Sequence, residues 1–156
     1  MAANQVGLWA SEELLFRKYF PQDARLLELV CGSVLIAIGM WELGYRHIIG
    51  VDFAREMVEE ARRIAESLDY AMDFRQGDAT GLKFEADSFD GAIFGFNGLM
   101  QIPQRKNRYK AITEAYRVLK PGSRFIFTTH DRRNPRNKQY WNKEAKRWEA
   151  GVQQSE

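Results

Sequence analysis

The sequence holds one cysteine, Cys31, and two histidines in 156 residues. A single cysteine excludes an internal disulfide and a cysteine-based zinc site, and a reducing, cytoplasmic setting is the default for such a chain. His47 has no acid–histidine cluster near it in sequence, so no metal site is expected. No apolar run approaches the roughly 18–20 residues of a membrane span. Met1 to Ser11 lacks a basic segment followed by an apolar core, so no signal peptide is expected. There is no internal repeat and no low-complexity segment.

What remains is enough for one packed domain. Hydrophobic residues make up 45% and aromatic residues 13%, which places the chain with globular rather than disordered proteins. The net charge of +2 hides a division. Residues 1–100 carry 9 Lys and Arg against 16 Asp and Glu, net −7, whereas residues 101–156 carry 14 against 5, net +9. Two solvated faces are the plain reading. An anionic partner, or self-association of acidic and basic ends, is the sharper one.

Trp9 to Phe20 reads as a helix that Ser11 caps, with Leu14, Leu15, Tyr19 and Phe20 on its apolar side and Pro21 at its end. Leu26 to Val30 is a strand, Leu35 to Leu43 a helix closed by Gly44, and Ile48 to Asp52 a second strand. Ala54 to Leu68 is a helix with the stripe Met57, Ala61, Ile64, Leu68. Met72 to Arg75 and Phe89 to Phe96 are strands three and four. Arg105 to Leu119 is a helix with Tyr109, Ile112, Tyr116 and Leu119 inward, followed by a Pro121-Gly122 turn and a fifth strand, Arg124 to Thr129. The βα alternation predicts a parallel sheet with helices on both faces. Lys138 to Trp148 reads as a basic amphipathic helix, and no strand-like run follows His130. The organisation expected is an α/β domain over residues 1–130 and a basic helical tail over 131–156, part of the same domain or an interface.

The first βαβ unit carries the chemistry. A turn between strand and helix presents backbone N–H groups at a helix N-terminus. An acid at the end of the next strand, twenty residues after Gly32, suits a ribose. At these residues the chain resembles class I S-adenosylmethionine (SAM)-dependent methyltransferases of small-molecule type. Their first motif is Glu/Asp-x-Gly-x-Gly-x-Gly, and the matching positions here are Glu28, Val30, Gly32 and Val34. Gly77-Asp78-Ala79 after strand three, Ser88-Phe89-Asp90 opening strand four and Tyr116-Arg117-Val118-Leu119-Lys120-Pro121-Gly122 before strand five keep the family's order over about two thirds of the chain. A nicotinamide site would need glycine at Val30, Gly32 and Leu35, and only Gly32 is present.

The resemblance implies a Rossmann-like sheet of order 3-2-1-4-5, here without evident strands six and seven. It also implies SAM as cofactor and S-adenosylhomocysteine as product. The cofactor residues it implies are Glu28, Gly32, Asp52, Phe53, Asp78, Ala79 and Asn97. Gly32 takes the methionine-end turn, Asp52 the ribose, Phe53 the adenine face and Asp78 the adenine amino group. Asp52 and Asp78 equally suit turns and helix caps. His130, past strand five, is the expected catalytic base, and Tyr19, Phe96, Asn97 and Met100 the expected acceptor lining. Valine at 30 and 34 predicts weakened binding of the methionine half. The functional expectation is methyl transfer to a small-molecule acceptor. The alternative is a non-catalytic module that uses its basic C-terminal end. A homodimer through the strand-five edge and the tail is expected, with neither membrane nor nucleic acid as a partner.

Overall fold

The computed structural model describes residues 8–29, 32, 34–131 and 133–149. Helix α1 (Ala10–Tyr19) leads into β1 (Arg25–Leu29), α2 (Leu35–Glu42), β2 (His47–Asp52), α3 (Arg55–Ser67) and β3 (Asp73–Gln76). Then come β4 (Phe89–Phe94), the short α4 (Gly98–Gln101), α5 (Arg105–Val118) and β5 (Leu119–Phe127). A 3₁₀ turn, η1 (Pro135–Asn137), and α6 (Lys138–Glu149) follow. The five strands form one parallel sheet of order β3-β2-β1-β4-β5, as expected.

β1 lies at the centre because its side chains are apolar on both faces, as a doubly covered parallel strand requires. Alternation sends Leu26 to one face and Leu27 and Leu29 to the other, all three fully buried. On the first face Leu26 and Ile93 meet Phe16, Ile36, Met40 and Ala61 from α1, α2 and α3. On the second, Leu27, Leu29 and Phe94 meet Leu99, Ala111 and Ala115 from α4 and α5. Gly44 closes α2 with φ +99°, donating to the Trp41 carbonyl at 2.9 Å while Tyr45 N–H reaches the Met40 carbonyl at 3.1 Å. The buried Tyr45 hydroxyl then lies 3.1 and 3.0 Å from the Phe16 and Phe20 carbonyls, satisfying the end of α1.

Three helices bury a different stripe from the one their largest side chains mark. α3 buries Val58, Ala61 and Ala65, leaving Met57 and Leu68 exposed. α5 buries Ala111, Ala115 and Val118, leaving Tyr109, Ile112 and Tyr116 exposed. In both the period is right and the phase is one residue off at most positions. Small side chains let a helix axis lie close to the sheet, and bulky neighbours spread to the flanks. α1 buries Glu12, Phe16 and Phe20 rather than Leu14, Leu15 and Tyr19. Ser11 does not cap it; Trp9 occupies the cap position and donates its N–H to the Glu12 carboxylate at 3.0 Å.

Strand ends shift for local reasons. β4 stops at Phe94, two residues early, because Phe96 and Asn97 take φ +46° and +57°, which ends the extended ladder. β5 begins early, and Pro121-Gly122 is a bulge inside it. Pairing jumps from Phe89↔Leu119 to Gly91↔Arg124, with Gly122 at φ +82°. β5 has no outer neighbour among the described residues.

Candidate functional site

The C-terminal ends of β1, β2, β3 and β4 open on one side of the sheet. The order of connections reverses between β1 and β4, where open α/β sheets bind ligands. A cleft of about 510 Å³ lies there, with Asp52, Phe53, Asp78 and Ala79 on one side and Gly98 and Ile102 on the other. Four of the expected site residues therefore share one cavity.

Asp52 ends β2 and is 6% exposed. Its Oδ1 accepts the Ala54 N–H at 2.9 Å, so it does serve the turn into α3. The Gly77 N–H donates to the Asp52 carbonyl at 2.8 Å and ties the ends of β2 and β3 together. Gly32 faces the same carboxylate. A Cβ at Gly32 would stand 3.1 Å from Asp52 Oδ2 and 3.3 Å from Met57 Sδ, so glycine there leaves room beside the acid. Phe53 is 73% exposed and stands over the cleft as a free aromatic face. Asp78 is exposed, and its Oδ1 accepts the Thr80 N–H at 2.8 Å in a local turn. Ala79 beside it is buried.

The buried charged side chains around Glu28 are all of one sign. Glu12, Glu28 and Asp52 are the buried charged residues among those described, and none pairs with a lysine or arginine. Glu28 is 1% exposed; the Ala37 amide at the start of α2 is directed at it, and its Oε2 has no partner. Burial pushes its carboxyl up to about 8. The Ala37 amide opposes that shift, and the charges of Asp52 and Glu12 add to it. An orphaned buried oxygen beside two further carboxylates fits a ligand that brings positive charge. SAM carries a sulfonium and an ammonium, so this side-chain set fits it.

Val34 stands at the N-cap of α2 with φ +51° and is 3% exposed. It thus takes the left-handed conformation that the family's third glycine would supply, with its side chain buried in the core shared by α1, α2 and α3. Val30, Cys31 and Ser33 lie outside the described residues.

Not every expected residue joins the cleft. Asn97 is its neighbour through Gly98, rather than a lining residue. Tyr19 lines a separate cavity with Ala24, Asp90 and Lys120 at the other end of the sheet, where strands begin, so it leaves the expected acceptor lining. It does so because the N-terminal half of α1, with Glu12, approaches the site while its C-terminal half runs away from it. His130 is exposed, its ring tilted 60° against that of Trp141 with centroids 5.7 Å apart, and does not line the cleft.

Two residues emerge only in three dimensions. Thr128 Oγ1 accepts the Asn97 N–H at 2.9 Å, while the Thr128 N–H donates to the Phe94 carbonyl at 3.0 Å. One residue thus clamps the left-handed Phe96-Asn97 pair to β5. Glu12 is buried within electrostatic reach of Glu28. Nothing in a polar residue on an apolar helix face distinguishes it beforehand from a solvated one.

Residues 26–122 match the family described as Methyltransferase domain. The chain is 34% identical over 128 residues to the 2-phytyl-1,4-naphtoquinone methyltransferase of Synechocystis sp., covering 80% of this chain and 52% of that protein. It is 32% identical over 117 residues to the demethylmenaquinone methyltransferase of Lactiplantibacillus plantarum, covering 69% and 46%. The chain spans about half the length of these relatives. Among solved structures, a SAM-dependent methyltransferase from Methanosarcina mazei superposes with a TM-score of 0.76 at 27% identity, over 87% of this chain and 64% of that one. SAM is the cofactor that the family and this neighbour imply. The matched span runs from β1 through the Pro121-Gly122 bulge and so includes the strand ends around the cleft, and this chain belongs to the methyltransferase domain family.

Proposed function

We propose that this chain binds SAM in the cleft at Asp52 and Asp78 and transfers its methyl group to a small-molecule acceptor of the quinol class. The observation that carries the reading is the convergence of Asp52, Phe53, Asp78 and Ala79 on one cavity, with the buried Glu28 and its orphaned oxygen in electrostatic reach of Asp52. The cofactor supplies an activated methyl on sulfur. The chain's part is to hold the reactants in line and keep water out. Asp52 accepts from the ribose, Phe53 covers the adenine, Asp78 and Ala79 meet its edge, and Glu28 faces the cationic end. The clamped Asn97 loop, with Phe96 and Met100, bounds the acceptor side. His130 is the proposed proton acceptor. A His130→Gln variant with the wild-type rate across pH 6–9 removes it from that role.

The quinol class is supported by the names of the relatives, which act on naphthoquinones and menaquinone precursors. Valine at position 30, where the family's motif has its first glycine, supports weakened binding of the methionine half, whereas the strain at Val34 belongs to the fold itself. The further parts of the proposal are a cytoplasmic setting, a tail beginning at residue 131, and a homodimer through the open edge of β5, where Phe127 is 48% exposed. Calorimetric titration of SAM and S-adenosylhomocysteine, followed by turnover with a short-tailed demethylnaphthoquinol, tests the reading. At 100 times its dissociation constant a native-state ligand stabilises by about 2.7 kcal/mol. No stabilisation by either compound at millimolar concentration favours the second reading, a non-catalytic module, which the exposed basic residues of α6 support. A monomeric mass at tens of micromolar removes the dimer.

A further inference from the structure

Two helices of this chain begin against their own electrostatics. The N-terminal end of a helix is its positive end and favours acids. α1 obeys, with Glu12 and Glu13 in its first turn and Arg17 and Lys18 in its last. α5 has no acid in its first turn and opens Arg105-Lys106-Asn107-Arg108. α6 has none either and opens on Lys138, two residues after Arg136 in η1. Both starts lie on one side of the molecule. α5 follows the end of β4 by way of α4, and η1 and α6 follow the end of β5, so each begins where the strand ends open on the cleft. Arg105, Lys106, Arg136, Lys138, Lys143 and Lys146 are exposed, and none is in an ion pair among the described residues. Exposed large side chains share these segments: Met100, 44% exposed, precedes Arg105, Tyr109, 58%, follows Arg108, and Tyr140, 58%, lies between Lys138 and Lys143 in the chain.

We propose that this basic, aromatic-studded rim docks the protein on an anionic lipid bilayer and turns the mouth of the cleft toward it. Cations interleaved with tyrosine and methionine suit the headgroup boundary, where charge meets phosphate and amphipathic rings sit partly in the acyl region. The rest of the molecule fixes the orientation. Residues 1–100 carry a net −7 and residues 101–156 a net +9, so an anionic surface repels the body and attracts the rim. No described helix is long and apolar enough to cross a membrane, so contact through these helices is with the surface only. This departs from the sequence-level expectation of no membrane partner. The use of the contact, drawing an acceptor with a lipid tail from the bilayer, rests on the quinol reading above; the contact itself does not.

The test is vesicle flotation with the whole chain. The vesicles are phosphatidylcholine alone or phosphatidylcholine with one-third phosphatidylglycerol, at low and high salt. Binding is expected to the anionic vesicles only, and to fall steeply with salt. Each neutralised cation should weaken partitioning by about fivefold. Lys138→Gln/Lys143→Gln/Lys146→Gln should therefore lose about 100-fold, and Arg105→Gln/Lys106→Gln about 25-fold, with unchanged circular dichroism. No binding to anionic vesicles at low salt overturns the proposal. So does full binding by either variant set, or exclusive binding of a single-stranded RNA oligonucleotide in a parallel assay. Turnover of a short-tailed quinol without vesicle binding overturns the docking and leaves the proposed function standing. Vesicle binding without turnover of any quinol does the reverse.

Discussion

Replacing Val34 separates two costs that are easily confused. A β-branched residue at φ +51° is strained, by about 1–2 kcal/mol per residue in the left-handed region. The fold itself contains that conformation, so on this reasoning the strain lowers stability and adds nothing to the cost of binding. Val34→Gly relieves it. The same change removes a side chain that is 3% exposed, whose burial is worth about 1.5–3 kcal/mol. It also adds backbone freedom to the unfolded chain, up to about 1 kcal/mol relative to alanine. The net expectation is a loss of about 0–2 kcal/mol, or a Tm lower by a few degrees. Val34→Ala isolates the strain, since alanine keeps Cβ while losing most of the burial. Glycine should therefore be more stable than alanine here by up to about 1 kcal/mol, the reverse of their usual order. Urea unfolding of both variants gives the difference, and calorimetric SAM titration should find affinities within about threefold of wild type. Alanine more stable than glycine by about 1 kcal/mol would refute the left-handed assignment. A tenfold gain in affinity from Val34→Gly alone would refute the claim that the strain is already present before binding. On this reasoning, the weakened binding expected from valine at 30 and 34 falls on Val30, and Val30→Gly is the variant that should raise SAM affinity.

Asp52→Ala should weaken SAM binding by about tenfold or more, since hydrogen bonds to a charged group are worth about 1.5–3 kcal/mol, in a protein that still folds; unchanged calorimetric affinity removes Asp52 from the site. Glu28 sets a pH dependence. Its folded-state value of about 8 lies above the ordinary 4.5, so between these limits the folded protein binds more protons than the unfolded one. Ligand-free stability should therefore fall as pH rises from about 4.5 to about 8, and Glu28→Gln should flatten that slope in urea titrations across the range. Thr128→Val leaves the Asn97 N–H without its acceptor. Turnover should drop several-fold while thermal unfolding moves by only a few degrees; an unchanged rate shows that the clamp is idle.

The fold was legible because its signals were local and repeated: a short apolar run, a glycine turn and a helix closed by Gly44, in alternation. The lining of the candidate cleft was legible where an acid marks the end of a strand or the turn after it, as Asp52 and Asp78 do. Helix phase was not, because the large apolar side chains of α3 and α5 lie beside the buried line, and alanine and valine occupy it. Thr128 and Glu12 were invisible for a different reason. Each acts through a partner far away in sequence, Asn97 for one and Glu28 for the other, and neither pairing leaves a local pattern. Tyr19 was misplaced because α1 points one end at the site and the other away.

The central place of β1 also governs the order in which the protein can be assembled during synthesis. β1 pairs with β2 directly after it in the chain, but its other partner, β4, ends eighteen residues after β3 is complete. At roughly 5–20 residues per second, a nascent chain holds the β3-β2-β1 half-sheet for about one to four seconds with the ladder edge of its most apolar strand unpaired. That edge is the one that attracts a foreign strand. Gly91 then lets β4 dock late and closely, since a Cβ there would lie 2.3 Å from the Phe20 ring.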